Sequence, residues 1–155
     1  MNSSNRIWTY YTNETKPHFC KNDLVTNITK EYVFFNRSYV MNAFKKHTDR
    51  MEGMLDKDLK AVMYVGPLGG GATTNETLLF VSPMQSCGVF SVHKFREHHD
   101  WYELRFKDAD GTGDPDPECV EKFRSITQEF SLVYNSTCKE IFPPRVADAN
   151  NIILP

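Results

Sequence analysis

Residues 87–119 read CGVFSVHKFREHHDWYELRFKDADGTGDPDPEC, and the fold turns on how they are read. Residues 87–95 and 101–108 are dense in β-branched and aromatic side chains, while Arg96 to Asp100 between them is too polar to bury. That pattern predicts two strands joined by a turn. The Gly/Asp/Pro loop that follows ends in Asp114-Pro115-Asp116-Pro117, where acidic residues and prolines suit the first turn of a helix. Cys119, Phe123, Ile126 and Phe130 then draw one apolar stripe along a helix ending near Ser131. An amphipathic surface helix needs such a stripe, so Phe123 and Phe130 are expected to pack on the sheet's outer face.

On the N-terminal side, residues 6–13 (RIWTYYTN) are rich in strand formers and Lys16-Pro17 ends them. Residues 19–29 and 31–44 are read as two or three more strands, with a turn at Asn36-Arg37-Ser38. Residues 45–58 (KKHTDRMEGMLDKD) carry too few apolar positions for a buried helix and are expected as a surface loop or short helical turn. Further strands are expected at 59–65 and 77–82. The glycines at 69–71 lack the Lys-Ser/Thr of a phosphate loop and lead into a strand, so they read as a hairpin loop. After the helix, LVYNSTCKEIF at 132–142 reads as a short strand or extended segment, and RVADANNIILP at 145–155 shows no usable pattern. A single domain over 1–155 is expected, with 1–5 and 143–155 as extended ends.

About eight antiparallel strands and one late helix admit a barrel or a sandwich. Sandwiches usually lack the helix, and an eight-stranded barrel leaves room inside for one small ligand. The expectation is a mainly β fold: an eight-stranded antiparallel barrel with a C-terminal helix packed outside.

Composition narrows the function classes. Net charge is −2 with no basic run, so the footprint of a nucleic-acid or membrane-surface partner is missing. No apolar run is long enough to span a bilayer, and MNSSNRIW lacks the core of a signal peptide. The sequon Asn-X-Ser/Thr occurs at Asn2, Asn13, Asn27, Asn36, Asn75 and Asn135. Four cysteines, none in a Cys-X-X-Cys pair, suit two disulfides of a secreted, extracellular domain, with three pairings open. Met1 then reads as an expression start in place of a removed signal. No nucleophile elbow or His-Glu-X-X-His occurs, so neither catalysis nor a cofactor is expected. His93, His98 and His99 could suggest a metal, but adjacent strand residues point to opposite faces and a solvated turn is the better reading.

Candidate pocket residues follow from strand alternation. Trp101, Glu103 and Arg105 share one face of their strand, and Tyr102, Leu104 and Phe106 share the other. By pattern alone the apolar set would face inward, leaving Glu103 and Arg105 as a surface pair worth little. Aromatic content offers Trp8, Tyr10, Tyr32, Phe34, Tyr39, Phe90, Val92 and Trp101 as wall candidates for an apolar pocket.

The order Cys87, strand, Glu103-Leu104, acidic Pro-rich loop, Cys119, helix and YNSTC ending at Cys138 resembles the tick salivary lipocalins, which include the histamine-binding proteins. The resemblance covers roughly Arg6 to Phe142 and is most specific from Cys87 to Cys138. It implies a secreted barrel, a binding protein rather than an enzyme, that sequesters a small host mediator such as a lipid or a biogenic amine. It implies disulfides Cys20–Cys138 and Cys87–Cys119, and it turns Glu103 toward the lumen. The family's amine-binding pattern has Asp after the first cysteine and an aromatic after Glu-Leu; here Gly88 and Arg105 stand at those positions. With one carboxylate lost and a cation gained, a leukotriene or fatty acid whose carboxylate meets Arg105 is expected ahead of histamine or serotonin. The protein is expected as a monomer; inhibition of a host immune or haemostatic protein through its outer surface is the alternative.

Overall fold

The computed structural model describes residues 6–42, 45–109 and 111–144. In chain order these form β1 (Ile7–Thr12), β2 (Phe19–Ile28), β3 (Tyr32–Val40), β4 (Lys46–Leu55), β5 (Val62–Pro67), β6 (Thr74–Val81), β7 (Cys87–Lys94) and β8 (His99–Phe106). Helix α1 (Pro117–Ile126), the two-residue strand β9 (Ser131–Leu132) and the short helix α2 (Cys138–Ile141) follow. Each of the eight long strands pairs antiparallel with the next, and β8 returns to β1, which also pairs with β2. The sheet closes on itself as an eight-stranded up-and-down barrel, an arrangement that removes exposed edges.

The closure is uneven. β1 meets β2 only through Ile7↔Asp23 and Trp8↔Asn22. Beyond Trp8 the two strands part, and β9 pairs with Tyr11 and Thr12 instead. Next to it, Val133 N donates to Tyr10 O, and Cys20 N donates to Val133 O. The chain leaving α1 therefore fills the gap between the first two strands.

α1 begins as its sequence dictates. Asp116 is the N-cap, its side chain accepting from Glu118 N at 2.9 Å, and Pro117 occupies the first turn. Cys119 and Phe123 are fully buried against Val89, Leu104 and Phe106 on the outer face of β7 and β8. The Cys87–Cys119 disulfide ties the start of β7 to the first turn of α1, and Cys20–Cys138 ties β2 to α2, the pairing that the resemblance implies.

Four expectations need correction. The predicted turn at Asn36-Arg37-Ser38 lies inside a continuous β3, paired residue by residue with β4. Its polar side chains have partners in place: Arg37 reaches Asp23 and Glu76, and Ser38 meets Thr48. Residues 45–58 are not a loop, because β4 runs from Lys46 to Leu55 and is held by backbone pairing to β3 and β5. α1 stops at Ile126, since Thr127 is extended at φ −141°. Phe130 consequently joins the cluster from outside the helix, its ring packing on Tyr11 and Phe123. Residues 138–141 are helical rather than extended. Residues 43, 44, 110, 1–5 and 145–155, with the sequon at Asn2, lie outside the described residues.

Candidate ligand site

Residues opposite each other in an antiparallel pair share a face. The registers Gly88↔Arg105, Phe90↔Glu103 and Val92↔Trp101 put these six on one face, and Glu76↔Val92 extends it to β6. Side chains from β2, β3, β6 and β8 meet there, which only the barrel interior allows. Glu103 and Arg105 thus face inward, and Leu104 and Phe106 lie under α1. Polarity alone points the wrong way on β8 because the helix makes the outer face the drier one.

Glu103 is fully buried and its oxygens are saturated with donors. Oε2 accepts from Lys21 Nζ at 2.8 Å and Trp101 Nε1 at 2.7 Å; Oε1 accepts from Arg105 Nε at 2.8 Å and Thr9 Oγ1 at 3.4 Å. Arg105 also donates from Nη1 to Glu76 Oε1 at 2.7 Å, and Arg37 Nη1 donates to Glu76 Oε2 at 3.0 Å. Arg37 closes the chain with paired bonds to both oxygens of Asp23, each 2.8 Å. Three carboxylates and three cations so form one balanced network across the middle of the barrel, as burial of charge requires.

The network sets the protonation of its members. Burial pushes the Glu76 carboxyl up, but Arg105 and Arg37 outweigh it and hold the group at about 2. Burial likewise opposes ionisation of Glu103, and Lys21 with Arg105 keeps it well below the usual carboxylate range. Arg37 and Arg105 are held charged in spite of their burial by Asp23, Glu76 and Glu103.

One donor is left over. Arg105 Nη2 is buried and has no acceptor among the described residues. The Arg105 guanidinium lies 4.3 Å from the centre of the Phe90 ring, and both line a cavity of about 200 Å³ at the barrel end that carries the β6–β7 turn. Ile7, Leu78, Val81 and Phe106 supply most of the remaining wall, with Lys107 beside them. Gly88 belongs to this wall too. A Cβ there would stand 3.0 Å from Leu78 Cδ1 and from Phe80 O, so the aspartate of the amine-binding pattern would enter only by pushing these neighbours aside. The signal for the cavity in the sequence was thus the departure at Gly88 and Arg105 itself.

The other expected wall residues divide. Trp101, Phe90 and Val92 share the inner face with Glu103 and Arg105. Tyr39 shares Arg37's face two residues on, and its ring stacks on His18 at 3.8 Å and packs near His47. Tyr32 and Phe34 alternate with inward Phe35 and stack on each other on the outer face. Tyr10 and Trp8 are also outside: their rings pack on Tyr134, and Tyr10 Oη donates to Asp114. A β-bulge between Thr9 and Tyr11 sets Tyr10 off from simple alternation. Sequence reasoning missed Glu76, Arg37, Asp23 and Lys21, which look like ordinary surface charges in strands.

His93 pairs with Asp100, and His99 lies on the opposite face of the hairpin, within 3.4 Å of Thr15 Oγ1. Among the described residues no three such groups converge as metal ligands, and no helix is long and apolar enough to cross a membrane. Of the sequons, Asn27 and Asn135 are exposed. Asn36 and Asn75 are half-buried within β3 and β6. Asn13 is engaged, its Oδ1 accepting from Tyr102 N at 2.7 Å.

No family model matches the chain, and no curated protein matches it in sequence. Solved structures do match. Japanin from Rhipicephalus appendiculatus, solved with cholesterol bound, superposes with a TM-score of 0.65 at 10% identity, over 88% of this chain and 97% of that one. A dog lipocalin allergen gives 0.57 at 11% identity, over 83% and 86%. A deswapped triple mutant of bovine odorant binding protein gives 0.57 at 16%, over 81% and 86%. At these identities the likeness is one of fold, and the fold is that of the lipocalins.

Proposed function

We propose that the protein carries a small amphipathic molecule, its apolar part in the cavity beside Phe90 and its carboxylate or other acceptor on Arg105. The observation that carries this reading is the buried Nη2 of Arg105, without an acceptor among the described residues, in the wall of an apolar cavity. A buried donor without an acceptor is costly, and a ligand that supplies one removes the cost. An amine has no comparable foothold here, because Glu103 already accepts four hydrogen bonds. A single acyl chain suits the space: pockets for drug-sized ligands run to roughly 300–1,000 Å³, and this cavity holds about 200 Å³.

The reading extends to a secreted lipocalin of the tick salivary kind that sequesters a host fatty acid or leukotriene, with histamine or serotonin ranked behind. Two disulfides favour the extracellular setting. A role in blocking a host protein draws its support from Leu79, Val81 and Met84, which stand exposed around the β6–β7 turn. Organic extraction of the purified protein followed by mass spectrometry, with calorimetric titration of decanoic acid and histamine, separates these readings. Decanoic acid should bind, and Arg105→Lys, which keeps the charge but removes Nη2, should weaken it about tenfold. Tight histamine binding with no uptake of the acid would overturn the proposal.

A further inference from the structure

The barrel-end cavity continues into a larger space. Ser86, Phe106 and Lys107 line it, and the same three residues line a groove of about 550 Å³ whose other wall is the loop leading into α1. The two spaces share a threshold. Lys107 lies two residues beyond Arg105, roughly 7 Å along an extended chain, so a ten-carbon ligand seated on Arg105 extends past it. The join is rigid. Lys107 N donates to Ser86 O at 2.9 Å, and Cys87 in the cavity wall is bridged to Cys119, two residues after the Pro117 that borders the groove.

The two halves differ in charge. Arg105, whose Nη2 has no acceptor among the described residues, lines the cavity, and Lys107 stands at the threshold. Asp114 and Asp116 line the groove. Each aspartate is already oriented through one oxygen: Asp114 Oδ1 accepts from Tyr10 Oη at 3.3 Å, and Asp116 Oδ1 accepts from Glu118 N at 2.9 Å. The second oxygen of each has no partner among the described residues, and neither carboxylate is in an ion pair there. Acceptors held in place in this way lose little freedom when a cation arrives. Volume points the same way. The cavity's about 200 Å³ is less than the roughly 300–1,000 Å³ of pockets for drug-sized ligands, and the groove makes up the difference.

We infer that the groove is a second subsite of the same ligand site, and that the ligand is a zwitterionic amphiphile. Its acceptor meets Arg105, its apolar chain runs past Phe90 and Phe106, and an ammonium at its far end meets Asp114 and Asp116. This rests on the reading of the cavity as the ligand site. Cations on the inner side and carboxylates on the outer side fix which end of such a molecule enters first, because the reverse orientation sets like charges together at both ends.

The test uses the full chain, with decanoic acid and its ω-amino derivative as matched probes and decylamine as the cation without the acid. Calorimetry should show the ω-amino acid binding about fivefold more tightly than decanoic acid, the upper range for an ion pair in contact with water. The gain should shrink as salt is raised. Asp114→Asn/Asp116→Asn should abolish the difference, since Asn keeps the acceptor for Tyr10 and the N-cap while removing the charge. Decanoic acid binding as tightly as its ω-amino derivative, or more tightly, would sink the groove subsite and leave the ligand reading standing. A difference that survives in the double variant would sink it equally. Decylamine binding that the double variant abolishes, with no uptake of decanoic acid, would keep the groove as a cation subsite and remove Arg105 as the acid's anchor. No binding of any of the three probes would remove both readings.

Discussion

At the scale of single residues, the buried network ties stability to pH. Glu76 is held at about 2 in the folded barrel and titrates near 4.5 when unfolded. Between those values the unfolded chain binds more protons, so stability is present in full above about 4.5 and is lost as pH falls toward about 2. Urea unfolding followed across that window should show a falling midpoint. Glu76→Gln should remove part of that slope while costing about 3–5 kcal/mol at neutral pH, because Arg105 and Arg37 are left without a shared anion. An unchanged midpoint at both ends would mean that the network is solvated rather than buried. Glu103 reinforces the trend, since Lys21 and Arg105 depress it in the same sense.

At the scale of elements, α1 was legible and β4 was not. The helix announced itself through Asp116, Pro117 and the spacing of Cys119, Phe123 and Ile126, all local signals. Phe123→Ala should lower stability by about 3–5 kcal/mol, since the ring is fully buried between helix and barrel; a loss under about 1 kcal/mol in chemical denaturation would show that the interface repacks. β4 gave no such signal because its identity lies in backbone pairing with β3 and β5 rather than in side-chain periodicity. Gly53 illustrates this: it interrupts the apolar pattern, yet Met63 fills the space that a side chain would need. The turn expected at Asn36-Arg37-Ser38 fails for a related reason. Turn-forming side chains became strand residues once Asp23 and Glu76, distant in sequence, arrived as partners for Arg37. The inner face was half legible: of the wall candidates offered by aromatic content, Trp101, Phe90 and Val92 share the face of Glu103 and Arg105, with Phe90 bordering the cavity, whereas Tyr32, Phe34 and Tyr10 lie outside. Which face of a strand is the dry one depends on what covers the sheet, and α1 covers β7 and β8 from outside.

At the scale of the whole molecule, the two disulfides differ in what they enclose. Cys20–Cys138 spans 118 residues and Cys87–Cys119 spans 32. In the chain-entropy model the longer loop contributes about 5 kcal/mol and the shorter between about 3 and 4. Cys20→Ser/Cys138→Ser should therefore cost more, in urea unfolding, than Cys87→Ser/Cys119→Ser; the reverse order would place the stabilisation in the native helix contacts. The longer bridge also sits at the irregular join between β1 and β2, where residues 131–133 complete the cylinder and Cys20 N donates to Val133 O. This gives the molecule a direction in time. A ribosome delivers the eight long strands first, and the piece that seals them emerges after all of them, so the nascent sheet waits with an unsealed seam and bare backbone groups. A barrel assembled in that order is vulnerable to mispairing with a neighbouring chain until residues 131–138 appear, and Cys138 is the latch that then shuts it.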